Sequence, residues 1–107
     1  MKVTHFDHIV VRVKDVQTSL RFYTEALGLQ PERVEEYRTG NAPFPSVRIS
    51  EESIIDIVQA MRSDGSENVD HFCLMIEEAD MAGLASKLRS QGVEIQQDVV
   101  RRWGAQG

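Results

Sequence analysis

F-D-H-I-V-V-R-V at residues 6–13 and V-D-H-F-C-L-M-I at residues 69–76 are the two stretches on which a reading of this chain turns. Both are dominated by β-branched and large apolar side chains, and both carry an Asp-His pair near their start. In the first, the strand parities separate into Phe6, His8, Val10, Arg12 and Asp7, Ile9, Val11, Val13, which predicts a strand over 3–13 that is apolar on both sides and therefore central. Working outward, Asp15 offers an N-cap, Val16, Leu20, Tyr23 and Leu27 recur at helical spacing, and Gly28 supplies a left-handed stop. The second stretch is followed in the same way by a helix over about 79–91, with Met81, Leu84, Ala85 and Leu88 as its apolar stripe and Gly92 as its stop.

The two halves correspond position by position. Phe6 answers Val69, His8 answers His71 and Val16 answers Ala79 at an offset of 63, and Gly28 answers Gly92 at 64. Strand, capped helix, glycine and strand in the same order twice predict a pseudo-two-fold arrangement.

Between the halves, residues 32–38 (E-R-V-E-E-Y-R) read as an edge strand or a mobile segment. Residues 39–45 (T-G-N-A-P-F-P) read as a loop, since glycine and two prolines interrupt any ladder. Strands are expected at 46–50 and 53–59, joined by a turn at Glu51 and Glu52, with the linker at 62–68. Val93, Ile95, Val99 and Val100 predict one or two further strands. About three strands follow the first helix in the 30 residues from Pro31 to Ala60, whereas 15 residues follow Gly92. The second half is thus expected to be incomplete, with an open sheet edge, a disordered tail or a partner's strand beside it.

Composition bounds the rest. At 107 residues there is room for one core, read here as a single domain over 1–107 with a first module at 1–61 and an incomplete second at 69–107. With 17 acidic against 12 scattered basic residues, the formal charge of −5 argues against nucleic acid or an anionic membrane as partner. No apolar run approaches the roughly 20 residues of a bilayer span, and no signal-peptide pattern opens the chain, so a cytoplasmic location is expected. The single Cys73 excludes an intrachain disulfide and reads as a small buried hydrophobe.

Chemistry must then come from His, Asp, Tyr and Arg. His8, Asp56 and His71 all sit in apolar strand patterns, and Asp56 among Ile54, Ile55, Ile57 and Val58 is costly to bury without a partner. Two imidazoles and a carboxylate could hold a divalent ion. Alternatively, each imidazole donates to a backbone carbonyl and Asp56 faces water. Tyr23, Tyr37, Phe44, Arg48 and Trp103 are candidate ligand contacts, each with an ordinary packing or surface role as its alternative.

The stretches 6–13, 15–29 (D-V-Q-T-S-L-R-F-Y-T-E-A-L-G-L), 53–58 (S-I-I-D-I-V) and 69–76 together resemble the vicinal oxygen chelate superfamily of glyoxalase I, bleomycin-resistance proteins and extradiol dioxygenases. The resemblance implies an α+β fold in which two βαβββ modules form a cupped mixed sheet, here with the second module truncated. It implies a homodimer, and a site in which His8 and His71 are metal ligands and Asp56 takes the place of a more usual glutamate, as ligand and catalytic carboxylate. A last ligand, a glutamate after a D-P-x-G-N-type turn, has no match. The implied activity is that of a Zn-, Ni-, Mn- or Fe-dependent lyase, isomerase or dioxygenase acting on a small substrate with vicinal oxygens. The alternative is a metal-free protein that binds or sequesters an antibiotic or another aromatic or cationic ligand.

Overall fold

The apolar first stretch forms a twelve-residue strand, β1 (Lys2–Val13), flanked on both edges, as expected of a segment apolar on both faces. In the computed structural model, which describes residues 1–60, 69–77, 79–97 and 99–107, β1 is followed by α1 (Val16–Arg21), β2 (Gln30–Glu32), α2 (Val34–Arg38), β3 (Ser46–Arg48), β4 (Ile54–Gln59), β5 (Val69–Glu77) and α3 (Met81–Ser90). The strands form one mixed sheet in the order β2-β3-β4-β1-β5, with β1 and β4 parallel and the other neighbours antiparallel. A parallel pair needs a crossover, and the segment carrying α1 and α2 supplies it. The result is an α+β fold with one complete βαβββ module and the strand and helix that open a second. The linker expected at 62–68 lies outside the described residues.

Ile9 faces Phe72 across the β1–β5 ladder, and these two residues are themselves 63 positions apart. The local two-fold axis of the repeat therefore passes through this pair. His8 and His71, being equivalent, fall on either side of it.

The sheet sorts its residues cleanly. On one face Val16, Leu20, Val47 and Ile57 form a buried cluster, packed round by Val11, Val13, Tyr23, Leu29, Val34, Tyr37 and Ile55. On the other, cross-strand partners share a face, so Ser46, Asp56, Val10 and His71 make one row and Arg48, Ile54, His8 and Cys73 the next. The hydrophobic layer lies under the helices; the chemistry lies opposite.

Several expectations are corrected. The segment 32–38 is mainly helical: Val34 and Tyr37 stand one turn apart and both turn to the core cluster, which favours helix over an edge strand. Asp15 does cap α1, accepting from the amides of Gln17 and Thr18, but the helix widens into a π-turn over Phe22–Ala26. That wider turn carries Leu27 out of the apolar stripe, leaving it 55% exposed. Of the stripe on α3 only Leu84 is buried. Among the described residues after Gly92 no strand forms; the chain instead crosses the open sheet face, where its carbonyls are gripped by arginines.

This division predicts unequal costs for apolar truncation. Ile57→Ala, at a fully buried position, is expected to lower unfolding free energy by about 2–5 kcal/mol, and Leu27→Ser to change it by no more than about 0.5 kcal/mol. Denaturant melts check both; comparable losses would place Leu27 in the core.

Candidate metal centre

The antiparallel ladder between β1 and β5 brings the two imidazoles together. His8 Nε2 lies 3.3 Å from His71 Nε2, and the rings meet edge to face with centroids 5.3 Å apart. His8 is buried, His71 is exposed, so the pair sits at the rim between core and solvent.

A register shift between Phe6 and His8 places Asp7 on the same side as its neighbour, where strict alternation would have turned it away. Its Oδ2 stands 2.7 Å from His8 Nδ1 and also accepts from the Ala105 amide at 3.1 Å. A carboxylate only accepts, so the network assigns the His8 proton to Nδ1. A neutral His8 imidazole then presents the Nε2 lone pair toward His71.

Asp56 is fully buried rather than facing water. Its Oδ1 accepts from Ser46 Oγ at 2.6 Å and from the Arg33 guanidinium at 3.3 Å. Its Oδ2 lies 4.0 Å from His8 Nε2 and has no hydrogen-bond partner among the described residues. Burial pushes this carboxyl above its ordinary 3.8, against the Ser46 hydrogen bond and the attraction of His8, Arg33 and His71.

Arg33 takes the left-handed backbone conformation, φ 60°, which is unfavourable for a residue with a Cβ. Its side chain holds it there, donating to Ser46 Oγ at 2.8 Å and to the Gly104 carbonyl at 3.2 Å, with the guanidinium 5.1 Å from the centre of the Trp103 ring. Its Nε is buried without a partner among the described residues. Arg48, paired with Glu32 at 2.8 Å, donates to the Ala105 carbonyl at 2.6 Å. Residues 103–105 thus lie over the chemistry-bearing face.

Of the residues singled out from sequence, His8 stands close to both His71 and Asp56, with Arg48 and Trp103 at the margin. Tyr23 and Tyr37 pack on the opposite face against the core cluster, away from the imidazoles, because helical spacing turns both toward the sheet. Phe44 is half-buried in the loop before β3. Asp7, Arg33 and Ser46 were not foreseen; the Asp-His pairing at both strand starts was the one available sign of Asp7. Cys73, read as a buried hydrophobe, is half-buried and belongs with Asp7 and His8 to a candidate metal-binding group whose ligand atoms lie within 4.8 Å of one another. Burial, then the negative charges of Asp7 and Asp56, push its thiol above 9.0.

Facing histidines on equivalent strands of one mixed sheet are what a repeated strand-and-helix module produces. The chain belongs to the Glyoxalase/Bleomycin resistance protein/Dioxygenase superfamily, whose family description matches residues 5–107. A relative from Synechocystis, named as a probable lactoylglutathione lyase, is 27% identical over 94 residues, 82% of this chain and 70% of its own length. Among solved structures, two single-substitution variants of Streptomyces coelicolor methylmalonyl-CoA epimerase in complex with 2-nitronate-propionyl-CoA align with a TM-score of 0.60 over 95% of this chain and 81% of theirs, at 21% and 22% identity. At that identity they show the fold.

The raised Asp56 carboxyl has a pH consequence for the metal-free protein. A group whose folded-state pKa exceeds its unfolded value binds its proton more tightly when folded, so its contribution is present below 3.8 and lost as pH rises through the folded value. The stability of the wild type relative to Asp56→Asn is therefore expected to fall between pH 3.8 and neutrality. A rise over that interval, measured by denaturation in chelator, would mean that the Arg33 and Ser46 contacts outweigh burial.

Proposed function

We propose that this chain is a divalent-metal-dependent enzyme of the lyase or isomerase type, with His8, His71 and Asp56 holding the ion. The observation that carries the reading is the 3.3 Å between the two Nε2 atoms. Two nitrogens bonded at about 2.0–2.1 Å to one tetrahedral ion stand about 3.3–3.4 Å apart. The unpartnered Oδ2 of a fully buried carboxylate, 4.0 Å from His8 Nε2, supplies the third donor. Zn, Ni, Mn or Fe suits a nitrogen and oxygen set of this kind.

When bound, the ion supplies Lewis acidity to two adjacent oxygens of a small substrate. The chain's own residues do the rest. Asp7 fixes the His8 ring. Ser46 and Arg33 lock Asp56 Oδ1, so Oδ2 remains to ligate or to hold a proton. Arg48 and Trp103 border the concavity and would contact the substrate. A lyase or epimerase acting on an acyl conjugate, as the names of the Synechocystis and Streptomyces proteins suggest, is the first substrate class to assay, ahead of dioxygenase chemistry.

A second reading, a metal-free ligand binder, draws support from Arg33 and Arg48, which already grip two peptide carbonyls on this face without an ion. A homodimer is proposed on the exposed Val69, Phe72, Leu74 and Met75 of β5, an edge strand among the described residues.

Protein purified without chelator is expected to carry near-stoichiometric divalent metal, to unfold at higher temperature with it than without, and to lose both properties in the His8→Ala/His71→Ala double variant. Absence of bound metal, with unfolding unmoved by zinc, nickel, manganese or iron, would leave the binder reading in its place.

A further inference from the structure

We infer that Cys73 is an additional, thiolate ligand of the ion held by His8, His71 and Asp56. The inference rests on the metal-dependent reading and extends it to a mixed nitrogen, oxygen and sulfur donor set.

The register puts Cys73 in the right place. It is the direct cross-strand partner of His8, and it stands two residues from His71 on the same strand with no irregularity between them. Side chains two apart on a strand share a face, so His8, His71 and Cys73 project from one side of the sheet, with Asp56 reaching that side from β4 through its pairing with Val10. The ligand atoms of Asp7, His8 and Cys73 lie within 4.8 Å of one another. Zinc bonds of about 2.3 Å to sulfur and 2.0–2.1 Å to nitrogen at the tetrahedral angle put the two ligand atoms about 3.6 Å apart. Ligation therefore requires Cys73 to rotate about its Cα–Cβ bond as the ion binds.

Asp7 is the competitor for this role, and its bonding argues against it. Its Oδ2 already accepts from His8 Nδ1 and the Ala105 amide, the arrangement of a carboxylate that orients a metal-binding imidazole from behind. Glu32, another carboxylate on this face of the sheet, is tied to Arg48. An independent sign that a cation belongs here is the buried Asp56 Oδ2, unpartnered and 4.0 Å from His8 Nε2. A thiolate among the donors would favour zinc or cobalt over magnesium or manganese.

Cobalt(II) is the probe, since thiolate ligation gives a sulfur-to-cobalt charge-transfer band in the near ultraviolet and imidazole ligation does not. Cobalt-loaded wild type is expected to show that band. Cys73→Ser and Cys73→Ala should each lose it, keep the visible ligand-field bands of an ion still held by the histidines, and bind zinc at least about tenfold more weakly. Zinc should also slow alkylation of Cys73 by iodoacetamide, which is unambiguous because the chain has 1 cysteine. Cobalt bound without the charge-transfer band, or alkylation indifferent to zinc, would overturn the thiolate ligand while leaving the metal site intact. Failure of cobalt and zinc to bind at all would instead overturn the metal reading, and the thiolate ligand with it.

Discussion

The antiparallel pairing of β1 with β5 about the Ile9–Phe72 contact is the constraint on which the candidate site depends. Because the halves repeat at an offset of 63 and the ladder pairs residues related by that same offset, symmetry alone places His8 and His71 beside one another across the axis. No loop has to be positioned to bring them together. Rigid strand backbone does it, which is the more accurate way to hold donor atoms. A one-residue slip of β5 would send His71 and Cys73 to the opposite side.

The hydrophobic layer and the polar face are two products of the same alternation. Val11, Val13, Ile55, Ile57 and Val47 face the helices, and their neighbours in sequence, Val10, Asp56 and Ser46, face the other way. Burying Asp56 is tolerable because one of its oxygens is fully engaged by Ser46 and Arg33. The other is left without a partner, and a buried acceptor in that state points toward a cation more strongly than the histidines do alone.

Much of this was legible from residue pattern. The Asp-His strand openings, the Asp15 cap and the stops at Gly28 and Gly92 carry local physics strong enough to survive folding. The residues around the proposed metal ligands were hidden for particular reasons. Asp7 needed a bulge that simple alternation does not announce. Ser46 was obscured by one residue of hairpin register: a two-residue turn at Glu51 and Glu52 would set Ser46 opposite Ile57, whereas the observed ladder sets it opposite Asp56. Arg33 lay in a charged stretch whose helix depends on tertiary contacts of Val34 and Tyr37, and only the folded chain carries its guanidinium back over Asp56 and Trp103. Leu27 shows the converse, a regular sequence period broken by a π-turn.

All of the site's chemistry hangs on two imidazoles from equivalent strands sharing one face of the sheet at contact distance. Nuclear Overhauser spectroscopy on the metal-free protein tests this most directly, because nitrogens 3.3 Å apart carry ring protons close enough to cross-relax. The expected result is a cross-peak between the His8 and His71 ring protons alongside the backbone contacts of the β1–β5 ladder. Intact ladder contacts with no cross-peak between the rings would put the imidazoles on separate faces and contradict it.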